Sequence, residues 1–220
     1  HSVNVAAISI LSGVSMGLSK KSLCTLGLGA LLHDIGKIFI AKEILDKPGK
    51  LTAPEMEEIR THSQLGSDYL SDRWEVPVES NMAVLTHHEY FDGTGYPNKL
   101  KGNEIPQFGK IVAVSDVFDA LTSDRPYRRP ISPSEAMEFV MGGSGSQFDP
   151  GIVKTFVKKI VPYPVGTCVN LSNGHTGIVI KNFENYGMRP QVRLISSPGG
   201  EIYDLCNDRE LLNVTITGIA

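Results

Sequence analysis

A mainly α fold is the class the sequence predicts: a helical bundle followed by a small β-rich module. Two observations carry that reading. Apolar residues recur at helical spacing through the first three quarters of the 220 residues. After "VPYPVG" the runs shorten, fill with β-branched residues and are separated by Gly, Asn and Pro. A boundary near Pro162–Pro164 follows, with expected domains at 1–161 and 162–220.

The elements follow in order. "SVNVAAISILSG" and "SLCTLGLGALLHD" are apolar at helical period, the second nearly all round, so it is expected to be buried. "LTAPEMEEIRTHSQLGSDYL" reads as a helix opened by a capping box, with Thr52 on the amide of Glu55 and Glu55 reaching back to Thr52. "VESNMAVLTHHE" and "FGKIVAVSDVFDALTS" are two further amphipathic segments. "SPSEAMEFV" has Ser132 as cap, Pro133 in the first turn and Glu135 three residues after the cap; "DPGIVKTFVKKI" begins on Asp149 and Pro150. The strands are expected in "TCVNL", "TGIVIKNF", "RPQVRLI", "GEIYDL" and "LNVTIT", as an SH3-like barrel or a curled sheet.

Composition narrows the function classes. The chain is 41% hydrophobic and 20% charged, with a net charge of -3, which offers no footprint for DNA, RNA or a membrane surface. No apolar run is expected to span a bilayer. Cys24, Cys168 and Cys206 match neither a zinc-finger pattern nor a disulfide framework, and read as buried free thiols of a reducing cytoplasm. The first residue is His1, so the chain is expected to continue upstream.

Chemistry concentrates in histidines and carboxylates. His1, His33, His62, His87 and His88 all fall on predicted helices of the first domain. A single such histidine is ordinarily a hydrogen-bonded structural residue. Here His33-Asp34 and His87-His88 are adjacent pairs, and Asp116 lies in the apolar run "VSDVFDAL", where a carboxylate is costly unless it is paired or metal-bound. Helical bundles build di-metal centres from such inward-projecting residues. Imidazole with carboxylate and no thiolate favours iron, manganese, zinc or cobalt over calcium or copper(I). The ligands outnumber what one tetrahedral ion uses, so two ions are expected. Such a pair suits in-line attack on phosphorus.

Together, "HDIGK", "HHEYFDGTGYP" and "SDVFDALTSDRPYR" resemble the HD-GYP family of metal-dependent phosphohydrolases, from His1 to about Ile160. The resemblance implies cyclic-dinucleotide hydrolysis in bacterial second-messenger signalling. Cyclic di-GMP is the first expected substrate, giving linear pGpG and then GMP; cyclic GMP–AMP stays open. It implies one metal held by His1, His33, Asp34 and Asp116, and a second by His62, His87 and His88. Asp34 would bridge them, with iron or manganese as the metals. Asp34 and Lys37 are the implied catalytic residues, with Lys37 on the scissile phosphate. Gly95, Tyr96 and Pro97 would form the substrate loop, Gly95 because it lets a ligand approach closely. Arg125 and Arg128 would clamp phosphates. Some members hold a third metal through a glutamate one turn before the first histidine, a position that precedes residue 1. Glu89 reads equally as a residue orienting a histidine or as a solvated helix end. Asp119 reads as structural, Asp92-Gly93 as the turn before the loop, and His175 as a turn residue. Protein partners at the GYP loop or the β domain, a homodimer, and upstream sensory or receiver domains are expected by family analogy. The other readings carried forward are a cyclic-dinucleotide sensor or docking module without turnover, and a phosphohydrolase of another nucleotide.

Overall fold

The computed structural model describes residues 1–124, 130–195 and 200–220. Its helices are α1 (Ser2–Ser15), α2 (Lys20–Leu32), α3 (Lys42–Leu45), α4 (Ala53–Arg60), α5 (His62–Ser71), α6 (Val78–Thr86), α7 (Gln107–Thr122), α8 (Pro133–Gly142) and α9 (Pro150–Lys159). Short 3-10 turns lie at Ile35–Phe39, Gly102–Glu104 and Arg209–Leu211. Helix α7 is central: it packs on α1, α2, α6, α8 and α9. The core it organises includes Val5, Leu26, Ala83, Ile111, Met137 and Phe156.

The start signals work largely as read. Ser132 accepts from the Glu135 amide at 3.2 Å while Glu135 accepts from the Ser132 amide at 2.9 Å. Asp149 caps α9 through the amides of Gly151 and Ile152. At α4, Glu55 takes the Thr52 amide at 2.7 Å, its hydroxyl, and Lys47 Nζ.

Four expectations are corrected. The single helix expected from Thr52 to Leu70 is two, α4 and α5, meeting at Thr61. Helix α2 is not buried all round: Leu31 is 45% exposed, because α2 packs on α1 and α6 with one side only. Cys24, seven residues before Leu31 on the same outward face, is exposed rather than buried, while Cys168 and Cys206 are half-buried. Among the described residues, the stretch Lys20–Phe39 is long and apolar enough to cross a membrane by length and composition, contrary to the sequence expectation. In this fold it is interrupted at His33-Asp34, and both residues turn into the polar centre of the bundle.

The last quarter forms a five-stranded antiparallel sheet of β1 (Cys168–Leu171), β2 (Thr176–Lys181), β3 (Gln191–Leu194), β4 (Ile202–Asp204) and β5 (Ile216–Ile219), in the order β4-β3-β2-β1-β5. The edge strands β4 and β5 do not pair among the described residues, so of the two expectations the curled sheet holds and the closed barrel does not. Val169, Leu171, Val179, Val192, Leu194 and Ile216 fill its own core around Tyr163. The alternation of buried and exposed residues in β1 and β3 is the period of a half-buried sheet. Tyr163 Oη donates to Ser134 Oγ at 2.8 Å and Met188 packs on the helical core, which seats the sheet on α8. His175 lies in the turn between β1 and β2, as expected.

Candidate metal centre

The ligand-type residues sit at helix ends rather than along helices. His1 is the residue before α1, His33 follows α2, His62 opens α5, and His87 and His88 follow α6; Asp116 alone lies inside a helix, α7. The placement has a chemical consequence. Three imidazoles use Nδ1 to donate to a carbonyl in the last turn of the helix just ended: His33 to Ala30 O (2.7 Å), His62 to Ile59 O (2.7 Å) and His87 to Val84 O (2.8 Å). A carbonyl only accepts, so Nδ1 carries the proton and the lone pair of a neutral ring is left on Nε2, facing inward. The break between α4 and α5 thus puts a helix end directly before His62.

These atoms converge. Asp34, His62, His87 and His88 form one group, and His1, His33 and Asp116 a second, with ligand atoms in each within 4.8 Å of one another. Asp34 joins the two. Its Oδ2 lies 3.4 Å from His33 Nε2 and 3.7 Å from His1 Nε2, while its Oδ1 lies 3.4 Å from His62 Nε2. Asp116 Oδ1 is 3.2 Å from His1 Nε2.

A cation fits this donor set on two observations. His33 Nε2 is fully buried without a hydrogen-bond partner, a cost that an ion removes. His62 and His87 hold their Nε2 atoms 3.3 Å apart, and with both Nδ1 protonated two lone pairs confront each other across that gap. The charge states agree. Burial pushes the His62 and His87 imidazoles down, and takes His88 to about 4, so all three are neutral near pH 7, the form in which an imidazole can hold a metal. Burial alone would raise Asp34, but the facing His33 imidazole and the Lys37 ammonium hold its carboxyl well below the usual range. Asp116 is likewise held down against burial, chiefly by His1. Lys37 Nζ donates to Asp34 Oδ2 at 2.6 Å, one turn beyond the His-Asp pair.

Two residues bear on the site differently from the sequence reading. Asp119 is buried and accepts from His1 Nδ1 (2.7 Å), Asn4 Nδ2 (2.9 Å) and Ser123 Oγ (3.0 Å). It is the carboxylate that orients an imidazole from behind, one of the two parts expected of Glu89. Glu89 does neither expected job. Only 2% exposed, it accepts from the amides of Asn98 (2.7 Å) and Leu100 (3.0 Å) and so anchors the GYP loop; burial pushes its carboxyl up against those amides. No local pattern links residue 89 to residue 98, or residue 119 to residue 1.

The loop itself reaches the centre. Tyr96 stacks on His88, centroids 4.7 Å apart at 26°. Gly95 also packs tightly on the protein itself. A Cβ there would stand 2.5 Å from His88 O and 2.7 Å from the Glu89 carbonyl carbon, so the loop lies close against the chain beyond α6. Asp92 accepts from the Thr94 amide at 2.9 Å and Gly93 has φ +86, the turn expected there. Gly95, Tyr96 and Pro97 border an open cleft of about 730 Å³ with Glu57, Arg60 and Tyr90. Arg125 and Arg128 lie outside the described residues.

Comparisons with known proteins agree with this geometry. A cyclic di-GMP phosphodiesterase of Pseudomonas aeruginosa is 39% identical over 202 residues, 92% of this chain and 49% of that protein. One from Thermotoga maritima is 42% identical over 160 residues, 72% of this chain and 43% of that protein. A 3'3'-cGAMP-specific phosphodiesterase of Vibrio cholerae is 42% identical over 129 residues, 58% of this chain and 24% of that protein. The chain thus spans half or less of the length of these curated relatives. Among solved structures, an HDG"Y"P protein from Bdellovibrio bacteriovorus superposes with a TM-score of 0.59 at 20% identity, covering 71% of this chain and 50% of that one; the likeness is one of fold. The HD-domain family model matches residues 2–152. With that match, and with "HDIGK" and "GTGYP" meeting at one polar centre, the chain belongs to the HD-domain family, in its HD-GYP branch.

Proposed function

We propose that the chain hydrolyses a cyclic dinucleotide, cyclic di-GMP first, opening it to linear pGpG and then to GMP. The observation that carries the reading is Asp34, whose two oxygens face two separate imidazole groups. His1, His33, Asp34 and Asp116 would hold one divalent ion and His62, His87 and His88 the other, with Asp34 shared; iron and manganese suit the donors. Bound there, two such ions activate water and neutralise charge at phosphorus. The chain's own residues do the rest. The inward Nε2 lone pairs are set before any ligand arrives, so little reorganisation is needed. Lys37 leaves Asp34 for the non-bridging phosphate oxygens, where negative charge grows as the P–O3′ bond breaks. Tyr96, held over His88 by the Glu89-anchored loop, covers the site and limits water. Arg125 and Arg128 grip the phosphates. Names of relatives at 39–42% identity support both cyclic di-GMP and cyclic GMP–AMP as substrates. The site of action would be the cytoplasm, with partners docking on the GYP loop or the sheet.

The test is direct. Protein loaded anaerobically with iron or manganese is incubated with cyclic di-GMP and the products are separated by ion exchange. Linear pGpG or GMP is expected; binding without product identifies a sensor, and no binding ends the cyclic-dinucleotide reading.

A further inference from the structure

Glu57 and Arg60 stand at positions i and i+3 of α4, on one side of the cleft that opens beside the metal centre. Arg60 Nη1 donates to Glu57 Oε1 at 2.6 Å. An exposed pair at this spacing is common on helices and contributes little to stability. This one is tied to the site. The Arg60 guanidinium lies 5.5 Å over the ring of Tyr96, and that ring stacks on His88. A continuous path of contacts therefore runs from a metal-ligand candidate through the GYP loop to the pair.

We propose, resting on the function above, that Glu57 and Arg60 read a guanine of the bound cyclic dinucleotide. The chemistry selects a base over a phosphate. Here the Glu57 carboxylate touches the guanidinium and offers acceptors of its own, which a base with N–H donors can use and a phosphate cannot. Side by side, the two groups present acceptors and then a fork of donors. Guanine carries the complement on two adjoining edges: the N1 and N2 protons of its Watson–Crick edge donate to a carboxylate, and O6 and N7 of its Hoogsteen edge accept from a guanidinium. Adenine has a lone pair at N1, which would face the Glu57 oxygens. Tyr96 keeps the guanidinium in place through its ring, which lowers the ordering cost of the contact. The subsite thus admits cyclic di-GMP and mixed cyclic GMP–AMP and disfavours cyclic di-AMP.

The experiment uses the metal-loaded full chain, with Glu57→Gln, Arg60→Gln and the conservative Arg60→Lys beside the unaltered protein. Metal content and melting temperature are checked first; both are expected to hold. Kd and KM are then measured for cyclic di-GMP and cyclic di-AMP. Loss of a charge-assisted contact should raise Kd and KM for cyclic di-GMP about 10-fold or more in both Gln variants, with kcat changing far less. Kd for cyclic di-AMP should hold or fall in Glu57→Gln, and Arg60→Lys should lie between. Equal losses for both dinucleotides, or no change for cyclic di-GMP, overturn the guanine reader while leaving the hydrolytic function standing. If the unaltered protein binds cyclic di-GMP without turnover, hydrolysis fails and the Kd comparison still decides the reader. If it binds none, both fall.

Discussion

Asp34 faces both imidazole groups at once, and its replacement separates metal holding from every other role. Asp34→Ala removes the anion shared by the two imidazole groups. Metal content should fall below two ions per chain, and kcat should drop by about a thousandfold or more, whatever the substrate concentration. Metal analysis with steady-state kinetics checks it, and full occupancy with near-normal kcat would refute the shared-ligand role. Asp119 offers a finer test. Asp119→Asn keeps the shape but weakens the acceptor behind His1 Nδ1. Affinity for one of the two ions should fall by about 10- to 100-fold in a metal titration, with the other ion and the fold unchanged. The ligand-type residues were legible as unusual pairs and a costly carboxylate in an apolar run. Asp119 and Glu89 were not, because their partners are remote in sequence and no local spacing announces the contact.

At the scale of elements, the centre is made by helix ends. The 3-10 turn Ile35–Phe39 must lie against the first turn of α5 for Asp34 to reach His62, and Gly36 makes the approach. A Cβ at Gly36 would stand 2.6 Å from the Gly66 amide nitrogen and closer still to His62 O. Gly36→Ala should therefore push α5 away, lowering metal content together with melting temperature, as read by metal analysis and thermal circular dichroism. Helix α9 gives a pH prediction. Asp149 caps it and takes Lys110 Nζ at 3.0 Å; burial would raise its carboxyl, but Lys110 and the cap amides hold it below the ordinary value. A depressed folded pKa stabilises above the unfolded value, and that stability disappears as pH falls through the folded one. Asp149→Ala should cost about 1–2 kcal/mol at pH 7. The difference from the unaltered protein should shrink steadily below about pH 4 in urea titrations. A difference that stays constant into acid would show that the carboxylate charge plays no part.

Over the whole molecule, every residue proposed to hold metal precedes the sheet, and the sheet has its own core. We propose 1–161 as a self-sufficient unit. A chain ending at Pro162 should keep its metal while melting lower, since it loses the Tyr163–Ser134 hydrogen bond and the packing of Met188 on the helical core. If that chain is folded by circular dichroism yet holds no metal, the sheet completes the centre in some way and the boundary is wrong.

The amino-acid sequence alone determined the classes of structure and the chemistry: helical period then strand period, the caps of α8 and α9, and a ligand set of imidazole and carboxylate. These are local properties, set by spacing and side-chain type within a turn or two. Tertiary structure decided the rest. It split α4 from α5 at Thr61, left the sheet open, exposed one side of α2, set Gly95 against backbone, and brought Asp119 to His1, Glu89 to the GYP loop and Arg60 to Tyr96. Each of these depends on which surfaces meet when distant segments pack, and a pairing between remote residues leaves no trace in the periodicity of either one.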